Sequence, residues 1–313
     1  VLHRLAQQLR RERFRHGAVA FNREEMKFRL DEKGRPLGVY AKVQQEANQL
    51  IEEFMLLANR RVAEFCAHTL KNGRKVPRTM VYRVHDDPSP EKLDRFRSFI
   101  LRFGHYFKAQ KGRAVAKEMN KLLKGLEGRP EENTVQLLAV RSMAKAEYST
   151  ENIGHYGLAF PYYTHFTSPI RRYPDVMVHR LLAHYLSGGR SVEKQLLEER
   201  CEHANEREVI ASEAERASIK YKAAEYLSDK KDQLFEGRIS RLNEWGIFVE
   251  LEETHIEGLL HLRELQDDFY RFDEEQYEIC GLRSGKRYTL GDRLTVRVKQ
   301  TDLRRRIVDF ELA

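Results

Sequence analysis

The chain contains 313 residues, and its 56 lysine and arginine residues outnumber its 48 aspartate and glutamate residues, giving a formal net charge of +8. This excess favours a polyanionic partner, nucleic acid or an acidic membrane surface, without choosing between them. Three distant cysteines without CxxC spacing argue against a disulfide framework or a zinc site and fit the reducing cytoplasm, and no apolar run of about 18 residues predicts a membrane span.

The first element is the basic segment VLHRLAQQLRRERFRHG, which lacks the apolar stretch of a secretory signal. Because it starts at Val1 and not at a methionine, we expect the chain to be a fragment of a longer protein. Residues 16–42 predict short strands around a turn at 32–34, and residues 45–66 predict a helix. We expect one apolar face on this helix, made of Ala47, Leu50, Ile51, Phe54, Ala58, Val62 and Phe65.

Four more helices are predicted along the chain, over residues 90–102, 114–126, 174–187 and 194–227. The third begins with Pro174, a residue favoured in the first turn of a helix. The last is long and charged, and its predicted buried stripe is small: Ile210, Ala214, Ala217, Tyr221 and Ala224. Such a stripe implies that the helix closely approaches a neighbour.

After residue 234 the apolar pattern changes to a period of two, as in Leu294, Val296 and Val298, and again in Val308 and Phe310. Several short strands within about 80 residues suit an OB barrel. Residues 234–313 carry 13 lysines and arginines and 17 acidic residues, a net charge of −4, which leaves +12 for the preceding part. We therefore predict an α+β chain with domains at 1–232 and 233–313, joined through the polar segment 228–233.

The segment with the most chemistry is YGLAFPYYTHFTSPIRRYPDVMVHR, residues 156–180. It combines aromatic rings, three hydroxyls, the tandem Arg171-Arg172 and a helix start at Pro174. Guanidinium pairs bind phosphates through paired hydrogen bonds, and interleaved aromatics can stack on the bases of single-stranded nucleic acid. From composition alone, a polar loop that caps a helix above an aromatic core is equally consistent.

Three strings resemble the ribonuclease R and ribonuclease II family. HFTSPIRRYPDVMVHR resembles the signature of its RNB catalytic domain, and ANQLIEEFMLLAN resembles one of its helices. GAVAFNREEMKFRLDEKGRPLGV resembles a third family segment, although Ala20 and Asn22 stand where aspartate is usual. The resemblance implies the helix-rich C-terminal part of an RNB catalytic domain, followed by an all-β OB-fold of the S1 type. A later segment, YRFDEEQYEICGLRSGKRYTLGD, brings the chain closer to the ribonuclease R branch.

The implied activity is 3′→5′ hydrolysis of single-stranded RNA to nucleoside 5′-monophosphates with Mg²⁺, by a cytoplasmic and monomeric enzyme. The family's metal-binding aspartates form a tight motif upstream of the helix at 45–66, and no such motif occurs here; Asp86-Asp87 lies downstream. We therefore expect the Mg²⁺ ligands in a missing upstream segment, and no activity from this chain alone. The alternative is a non-catalytic RNA-binding protein.

The resemblance also implies roles for individual residues of the first domain. Arg171 is the catalytic candidate, neutralising charge as the phosphodiester is cleaved. Glu52 would accept a hydrogen bond from a ribose 2′-OH, and a solvated helix face is its alternative reading. Phe21 would stack on a base near the 3′ end, or else fill a strand core. The remaining RNA-binding candidates of this domain are Asn59, which shares a helix flank with Glu52, and Tyr163, Ser168, Arg172 and Glu215. Glu215, on the long helix, would line the RNA channel, and a surface ion pair is its alternative reading.

In the second domain, FEGRISRLNEWGIFVEL, IEGLLHLREL and TDLRRRIVDFEL resemble the S1 fold. The positions that usually contact RNA in this fold are then Trp245, Phe248, His261, Asp302 and Arg306. The alternative is that Phe248 belongs to the core and Trp245 packs on the linker. For His165 and His179 we expect capping or core roles, since their spacing makes no metal site.

Overall fold

The structure, a computed structural model, describes residues 1–19, 25–42, 45–71, 74–129, 131–274 and 276–313. Within these ranges the helices are α1 (Leu2–Arg15), α2 (Glu46–Ala67), α3 (Pro90–Leu101), α4 (Gly112–Gly125), α5 (Glu132–Ser142), α6 (Tyr173–Leu186) and α7 (Lys194–Ser228). The strands of the first part are β1 (Glu25–Leu30), β2 (Pro36–Lys42), β3 (His68–Lys71), β4 (Arg74–Pro77), β5 (Tyr82–Val84) and β6 (Glu147–Ser149). Those of the second part are β7 (Leu234–Asn243), β8 (Gly246–Leu251), β9 (Glu257–His261), β10 (Tyr270–Asp273), β11 (Glu278–Gly281), β12 (Arg287–Tyr288), β13 (Arg293–Asp302) and β14 (Ile307–Leu312).

The helix boundaries follow local sequence signals. At the start of α2, the backbone N–H of Gln45 donates to Asn48 Oδ1 at 3.0 Å, as one half of a capping box. At the start of α3, Ser89 Oγ accepts from the N–H of Lys92, and Pro90 occupies the first helical position. The predicted helices at 45–66, 90–102, 114–126, 174–187 and 194–227 are confirmed to within two residues at each end.

The first part contains two apolar cores. One joins the end of α2, β5, β6, α6 and the start of α7, through side chains such as Met80, Met177 and Val178. The other lies within the three helices α3, α4 and α5, around Phe96, Met119 and Val135. The strands of this part form three antiparallel pairs, β1 with β2, β3 with β4, and β5 with β6. Residues 156–180, the signature segment, contact both cores: Tyr156 packs against the second, and Tyr162 and Phe166 pack against the first.

The second part is a closed five-stranded barrel with the strand order β13-β14-β9-β8-β7, and β7 pairs with β13 to close it. Alternate residues point inward, so Ile247, Val249 and Leu251 of β8 are all fully buried. The predicted OB barrel is thus confirmed. Between β9 and β13 the chain adds a small sheet with the order β10-β11-β12, whose Ile279 and Tyr288 pack into the barrel core.

Helix α7 links the two parts of the structure. Its first turns pack into the α6 core through Leu197 and Cys201, and its last turns pack into the barrel through Ala224 and Leu227. The predicted small stripe is wrong between these ends, because Ile210 is 51% exposed and only Ala224 of the stripe is buried. A neighbour does approach the C-terminal half of α7: β2 packs there, and Lys222 Nζ donates to the carbonyl of Gly34 in the turn before it.

The predicted apolar face of α2 is also wrong. Ile51 is 57% exposed and Phe65 is 48% exposed, whereas Glu53 and Asn59 are only 3% exposed. The helix turns polar side chains inward because partners for them arrive from distant parts of the chain.

Two helices were not predicted at all, α1 and α5. No helix in the described ranges is long and apolar enough to cross a membrane.

Candidate functional site

Asn59 of α2 organises the signature segment. Its side-chain oxygen accepts from the backbone N–H groups of Phe166, at 3.0 Å, and Thr167, at 3.2 Å. Its amide nitrogen donates to the Tyr163 hydroxyl at 3.1 Å. Asn59 and Tyr163 are 3% and 4% exposed. Two of the predicted RNA-binding residues, Asn59 and Tyr163, are thus buried. Their hydrogen bonds fix the backbone path of residues 163–167.

Two further contacts hold the same stretch of chain. The Thr164 hydroxyl donates to the carbonyl of Val81 at 2.7 Å. On the other side, His179 Nε2 lies 2.9 Å from the carbonyl of Phe166 and its ring stacks on that side chain, with centroids 4.1 Å apart. Residues 163–167 are therefore anchored to α2, to the segment before β5 and to α6.

The segment then makes an exposed turn before α6 begins. The backbone N–H groups of Arg171 and Arg172 both lie near the carbonyl of Ser168, at 3.3 and 3.1 Å. Ile170 is fully exposed and Arg171 is exposed, and the Arg171 guanidinium has no hydrogen-bond or ion-pair partner among the described residues. The turn therefore presents one unpaired guanidinium on the protein surface.

The two adjacent arginines have different surroundings. Arg172 Nη2 donates to Asp175 Oδ1 at 2.8 Å, and Asp175 is completely buried. The same carboxylate oxygen accepts from the backbone N–H of Ser168 at 2.8 Å. Arg172 is thus engaged by a neighbouring acid, whereas Arg171 is not. That Arg171 alone is catalytic stays a prediction.

Three half-buried imidazoles, His85, His155 and His165, lie in or beside the signature segment. Burial lowers the pKa of His155 to about 3, and it lowers the pKa of His165 further, with help from the nearby Arg172 charge. Burial likewise lowers the pKa of His85. His165 Nδ1 lies 2.8 Å from the Tyr148 hydroxyl, whose pKa burial raises to about 12. The tyrosine therefore stays protonated and donates to a neutral histidine, which is the core role expected for His165.

Helix α1 supplies arginines to the acidic pair of α2. Arg13, 6% exposed, makes a short ion pair with the buried Glu53. Arg10 lies 3.7 Å from the same carboxylate. Glu52 Oε1 is 3.5 Å from Arg13 Nη2, but its side chain is 37% exposed. Glu52 therefore keeps a solvent-facing edge, while Glu53 is a structural charge that periodicity did not reveal.

One predicted site residue of the first part lies elsewhere, and another is not described. Glu215 is exposed on the middle of α7, between the helix ends that are packed into cores. Phe21 lies outside the described residues. The described chain just before that range is held in place, since the N–H of Val19 donates to the carbonyl of Gly157 at 2.9 Å and Asn120 of α4 donates to the carbonyl of Ala18.

The outer face of the barrel carries the predicted S1 residues. Phe248 is half-buried, and the Arg241 guanidinium carbon lies 3.7 Å from its ring centroid. The register pairs Phe248 with Leu259 and Gly246 with His261, so Trp245, 65% exposed, begins this row of side chains. The alternative in which Trp245 packs on the linker does not fit such exposure.

The far end of this face is formed by the turn between β13 and β14. Asp302 accepts from the N–H of Arg305 at 2.9 Å, and Arg306 is exposed with a left-handed φ of 59°. Asp302 of β13 pairs with Ile307 at the start of β14. His261 follows Leu260 of β9, and Leu260 pairs with Phe310 towards the end of β14. The face is therefore a track running from Trp245 to Arg306, and the five predicted residues do not meet at one point.

Sequence reasoning missed several residues that shape these surfaces. Asp309 lies 3.4 Å from His261 Nε2 and accepts from Gln300 at 2.7 Å. Asp175 could have been found from its position, three residues after Arg172 at a helix start. Arg13 and Glu53 had no such signal, because 40 residues separate them.

A metal site cannot be assembled from the residues described here. They contain no group of three or more histidine, cysteine, aspartate or glutamate side chains that could hold a metal ion. The magnesium that the family resemblance implies does not fit any cluster in this part of the protein. No chemical step is therefore assigned to a metal on this chain.

Known proteins match this arrangement. An RNB domain model matches residues 1–188, and an S1 RNA binding domain model matches residues 228–312. Ribonuclease R of Aquifex aeolicus is 40% identical over 307 residues, which covers 97% of this chain and 42% of the relative. Ribonuclease R of Escherichia coli is 33% identical over 323 residues, covering 99% of this chain and 39% of the relative.

The structural comparison agrees. RNase R of Mycoplasma genitalium, solved in complex with ribose methylated single-stranded RNA, superimposes with a TM-score of 0.88 at 26% identity, covering 100% of this chain and 49% of that one. The chain thus spans about two fifths of the length of its curated relatives. Since the RNB model alone matches more than half of the 313 residues, the chain belongs to the RNB domain family and carries an S1 RNA-binding domain.

Proposed function

We propose that this chain forms part of a 3′→5′ exoribonuclease that hydrolyses single-stranded RNA to nucleoside 5′-monophosphates. The observation that carries the proposal is the Arg171 turn, which holds one exposed, unpaired guanidinium on a backbone anchored by Asn59 and Asp175. The relatives named ribonuclease R support the class of reaction. They are longer than this chain, so the activity is proposed for a longer protein.

In that reaction a water oxygen attacks the phosphorus of the last phosphodiester. The bond from phosphorus to the 3′-oxygen of the preceding nucleotide breaks, and that oxygen leaves as a new 3′-hydroxyl after taking a proton. The released nucleotide keeps the phosphate on its 5′-oxygen. Negative charge grows on the phosphoryl oxygens during attack, and a fixed guanidinium at Arg171 would stabilise it most in the transition state.

The magnesium ligands are proposed to come from a segment outside this chain. The family resemblance puts them upstream of α2, and the described residues supply no cluster of their own. We refer below to this chain joined to that segment of its own gene as the extended protein. Without it, the chain keeps Arg171, but its described residues supply no metal cluster that could activate water.

RNA would follow the exposed polar edges of both domains. In the first domain we propose that Phe21 contacts a base and that Glu52 contacts a ribose hydroxyl. Glu215 would form part of the wall of the RNA channel. Asn59, Tyr163, Ser168 and Arg172 would act by holding the Arg171 turn. The burial of Asn59 and Tyr163, and the internal hydrogen bonds of all four residues, support this indirect role.

On the barrel, RNA would lie along the track from Trp245 through Phe248 and His261 to Asp302 and Arg306. Exposed aromatic rings bind single strands because every base offers a face for stacking. The 65% exposure of Trp245 supports such a role. A net charge of −4 on residues 234–313 means that stacking, and not overall attraction, would carry this contact.

Positive charge is instead concentrated in the first domain, on the exposed side of α4. Arg113, Lys117, Lys121 and Lys124 recur there at helical spacing, and none has an ion-pair partner within the described ranges. Phosphate backbones supply the matching negative charge.

We propose RNA as the partner, a division into domains at 1–232 and 233–313, a monomeric state and a cytoplasmic location. Free Cys66, Cys201 and Cys280 fit the cytoplasmic location.

The test compares this chain with the extended protein on labelled single-stranded RNA with Mg²⁺. We expect mononucleotide release from the extended protein only. The extended protein carrying Arg171→Ala serves as the matched control, because it retains the metal-binding segment. An extended protein that binds RNA but releases no mononucleotides would contradict the enzymatic proposal.

The second candidate function is a non-catalytic RNA-binding protein. It is favoured by one observation, the lack of any metal-holding cluster among the described residues. The upstream gene sequence separates the two functions. An aspartate-rich motif before α2 supports the enzyme, and its replacement by residues that cannot ligate a metal supports RNA binding alone.

A further inference from the structure

We infer that Asp175 is a positioning residue for Arg171. Its buried carboxylate closes the base of the turn that carries the exposed guanidinium, and so determines where that guanidinium meets the RNA. The catalytic consequence rests on the proposed function. The ordering of the turn rests on geometry alone, so the two can be tested separately.

Asp175 is unusual for a residue in the first turn of a helix. It is completely buried, and one oxygen, Oδ1, accepts from both the Ser168 backbone N–H and Arg172 Nη2, each at 2.8 Å. A buried carboxylate is stable only when such partners compensate its charge. The acid thus engages Arg172 and leaves Arg171 as the free guanidinium of the tandem pair.

The bond to Ser168 is placed where the chain has few other restraints. Upstream, the backbone N–H groups of Phe166 and Thr167 are fixed by Asn59. From Ser168 to Arg172 the described contacts are the two turn bonds to the Ser168 carbonyl and the clamp from Asp175. Pro169, Ile170 and Arg171 are all exposed beyond that clamp. Loss of the clamp would free the tip of the turn without disturbing its anchor on α2.

The second carboxylate oxygen of Asp175 allows a variant that removes the negative charge but keeps the hydrogen bond to Ser168. Asp175 Oδ2 is buried and has no hydrogen-bond partner among the described residues. In Asp175→Asn the amide nitrogen can take that position, while the amide oxygen still accepts from Ser168. This variant therefore keeps the backbone bond and removes the negative charge, whereas Asp175→Ala removes both.

The first test uses the 313-residue chain and measures amide hydrogen exchange of the segment 166–173. We expect Asp175→Ala to speed exchange at Ser168 about tenfold or more, and Asp175→Asn to retain most of the protection. Asp94→Ala is the matched control, because it removes an exposed Asp–Arg pair of the same three-residue spacing on α3. Unchanged exchange in Asp175→Ala would overturn the inference. If that variant does not fold, Asp175→Ser, too short to carry both bonds, takes its place.

The second test is a double-mutant cycle in the extended protein, read by single-turnover cleavage and by RNA affinity. With Arg171 present, Asp175→Ala should slow cleavage about tenfold or more, and change the Kd for RNA less than about twofold. With Arg171→Ala already in place, it should have no further effect. Equal slowing in both backgrounds would show that Asp175 does not act through Arg171. If the extended protein cleaves nothing, the proposed function fails, and the exchange experiment still decides whether Asp175 orders the turn.

Discussion

Arg13 and Glu53 form an ion pair between α1 and α2 in which both side chains are almost fully buried, although 40 residues separate them. The pair fixes α1 against the helix that carries Asn59. Removing one partner strands the other charge in the interior, and such losses typically destabilise a protein by about 3–5 kcal/mol.

Glu53→Ala should therefore lower the free energy of unfolding by about 3 kcal/mol or more, as measured by urea denaturation. Glu64→Ala on the same helix is the control, since its pairs with Arg60 and Arg61 are partly exposed and worth about 1 kcal/mol or less. A Glu53 variant no less stable than the Glu64 variant would show that the buried pair does not hold α1 in place.

Sugar discrimination should depend on the neighbouring acid, Glu52. Its exposed edge can accept a 2′-hydroxyl hydrogen bond, and a carboxylate would repel a phosphate, so it favours RNA without adding general affinity. In competition between matched RNA and DNA oligonucleotides, Glu52→Ala should narrow the preference for RNA roughly tenfold, since a hydrogen bond to a charged group contributes about 1.5–3 kcal/mol. An unchanged preference in a folded variant would leave Glu52 as a solvated helix residue.

The barrel should bind RNA chiefly through Trp245. Trp245→Ala should weaken binding of a single-stranded oligonucleotide by about 1–3 kcal/mol. Phe248→Ala should weaken it less, because the Arg241 guanidinium already covers that ring at 3.7 Å. Quenching of the single tryptophan reports binding in the other variants, and fluorescence anisotropy of labelled RNA reports it for the tryptophan variant.

Phe269→Ala provides the control, since this ring is 66% exposed but directly precedes β10 of the small three-stranded sheet, outside the five strands of the barrel. Its loss should leave RNA affinity unchanged. Equal effects of Trp245→Ala and Phe269→Ala would mean that exposed rings bind RNA without a defined site.

Sequence periodicity predicted the barrel and five helices because both depend on local apolar patterns. The alternation in β13 and β14 recurs every two residues, and the buried apolar residues of α6, Val178, Leu181 and Tyr185, recur every three or four. One segment therefore contains the whole signal. The failure on α2 has the opposite cause. Glu53 and Asn59 are buried because Arg13 and the backbone of Phe166 reach them from elsewhere in the chain. A local pattern contains no information on such partners.

The same reasoning explains what was predicted of the site. Arg171 was identified by a motif that is contiguous in sequence, and the structure places it on an exposed turn. Asn59 and Tyr163 were identified with it, yet they are buried and bonded to each other. Resemblance to a family indicates that a position matters, whereas burial and hydrogen bonding indicate whether it touches a ligand or holds another residue.

Stability should fall in mild acid because of three half-buried imidazoles. Burial lowers the pKa values of His85, His155 and His165 in the folded protein below the ordinary value of 6.5. The unfolded chain therefore binds more protons below about pH 6.5, and the stability present above that pH is lost as the pH falls towards the folded values. Each histidine contributes a slope of up to about 1.4 kcal/mol per pH unit.

His155→Gln should flatten this dependence between about pH 6.5 and 4, measured as urea midpoints across the range. His203→Gln on α7 is the control, because His203 is exposed. A pH profile that is equally steep in both variants would show that protonation of His155 is not coupled to unfolding.

The tandem arginines should separate in kinetics and stability. In the extended protein, Arg171→Ala should lower the single-turnover rate about 10²–10³-fold with a small change in RNA affinity, because its charge is needed most in the transition state. Its removal should leave the melting temperature nearly unchanged, since the side chain is exposed and unpaired among the described residues. Arg172→Ala should act chiefly on stability: it leaves the buried Asp175 carboxylate without its counter-charge and should lower the melting temperature. Its effect on the rate should be smaller and should come from a loosened Arg171 turn.

The charge-conserving variants complete the comparison. Arg171→Lys keeps a cation but loses the paired donors of the guanidinium, so it should restore part of the rate, while Arg172→Lys should restore part of the stability. The cleavage rate and the melting temperature of all four variants together show whether each arginine acts in the reaction or in stability. If Arg171→Ala loses RNA affinity but retains its single-turnover rate at saturating enzyme, Arg171 binds RNA without assisting the chemistry, and the catalytic assignment within the signature fails.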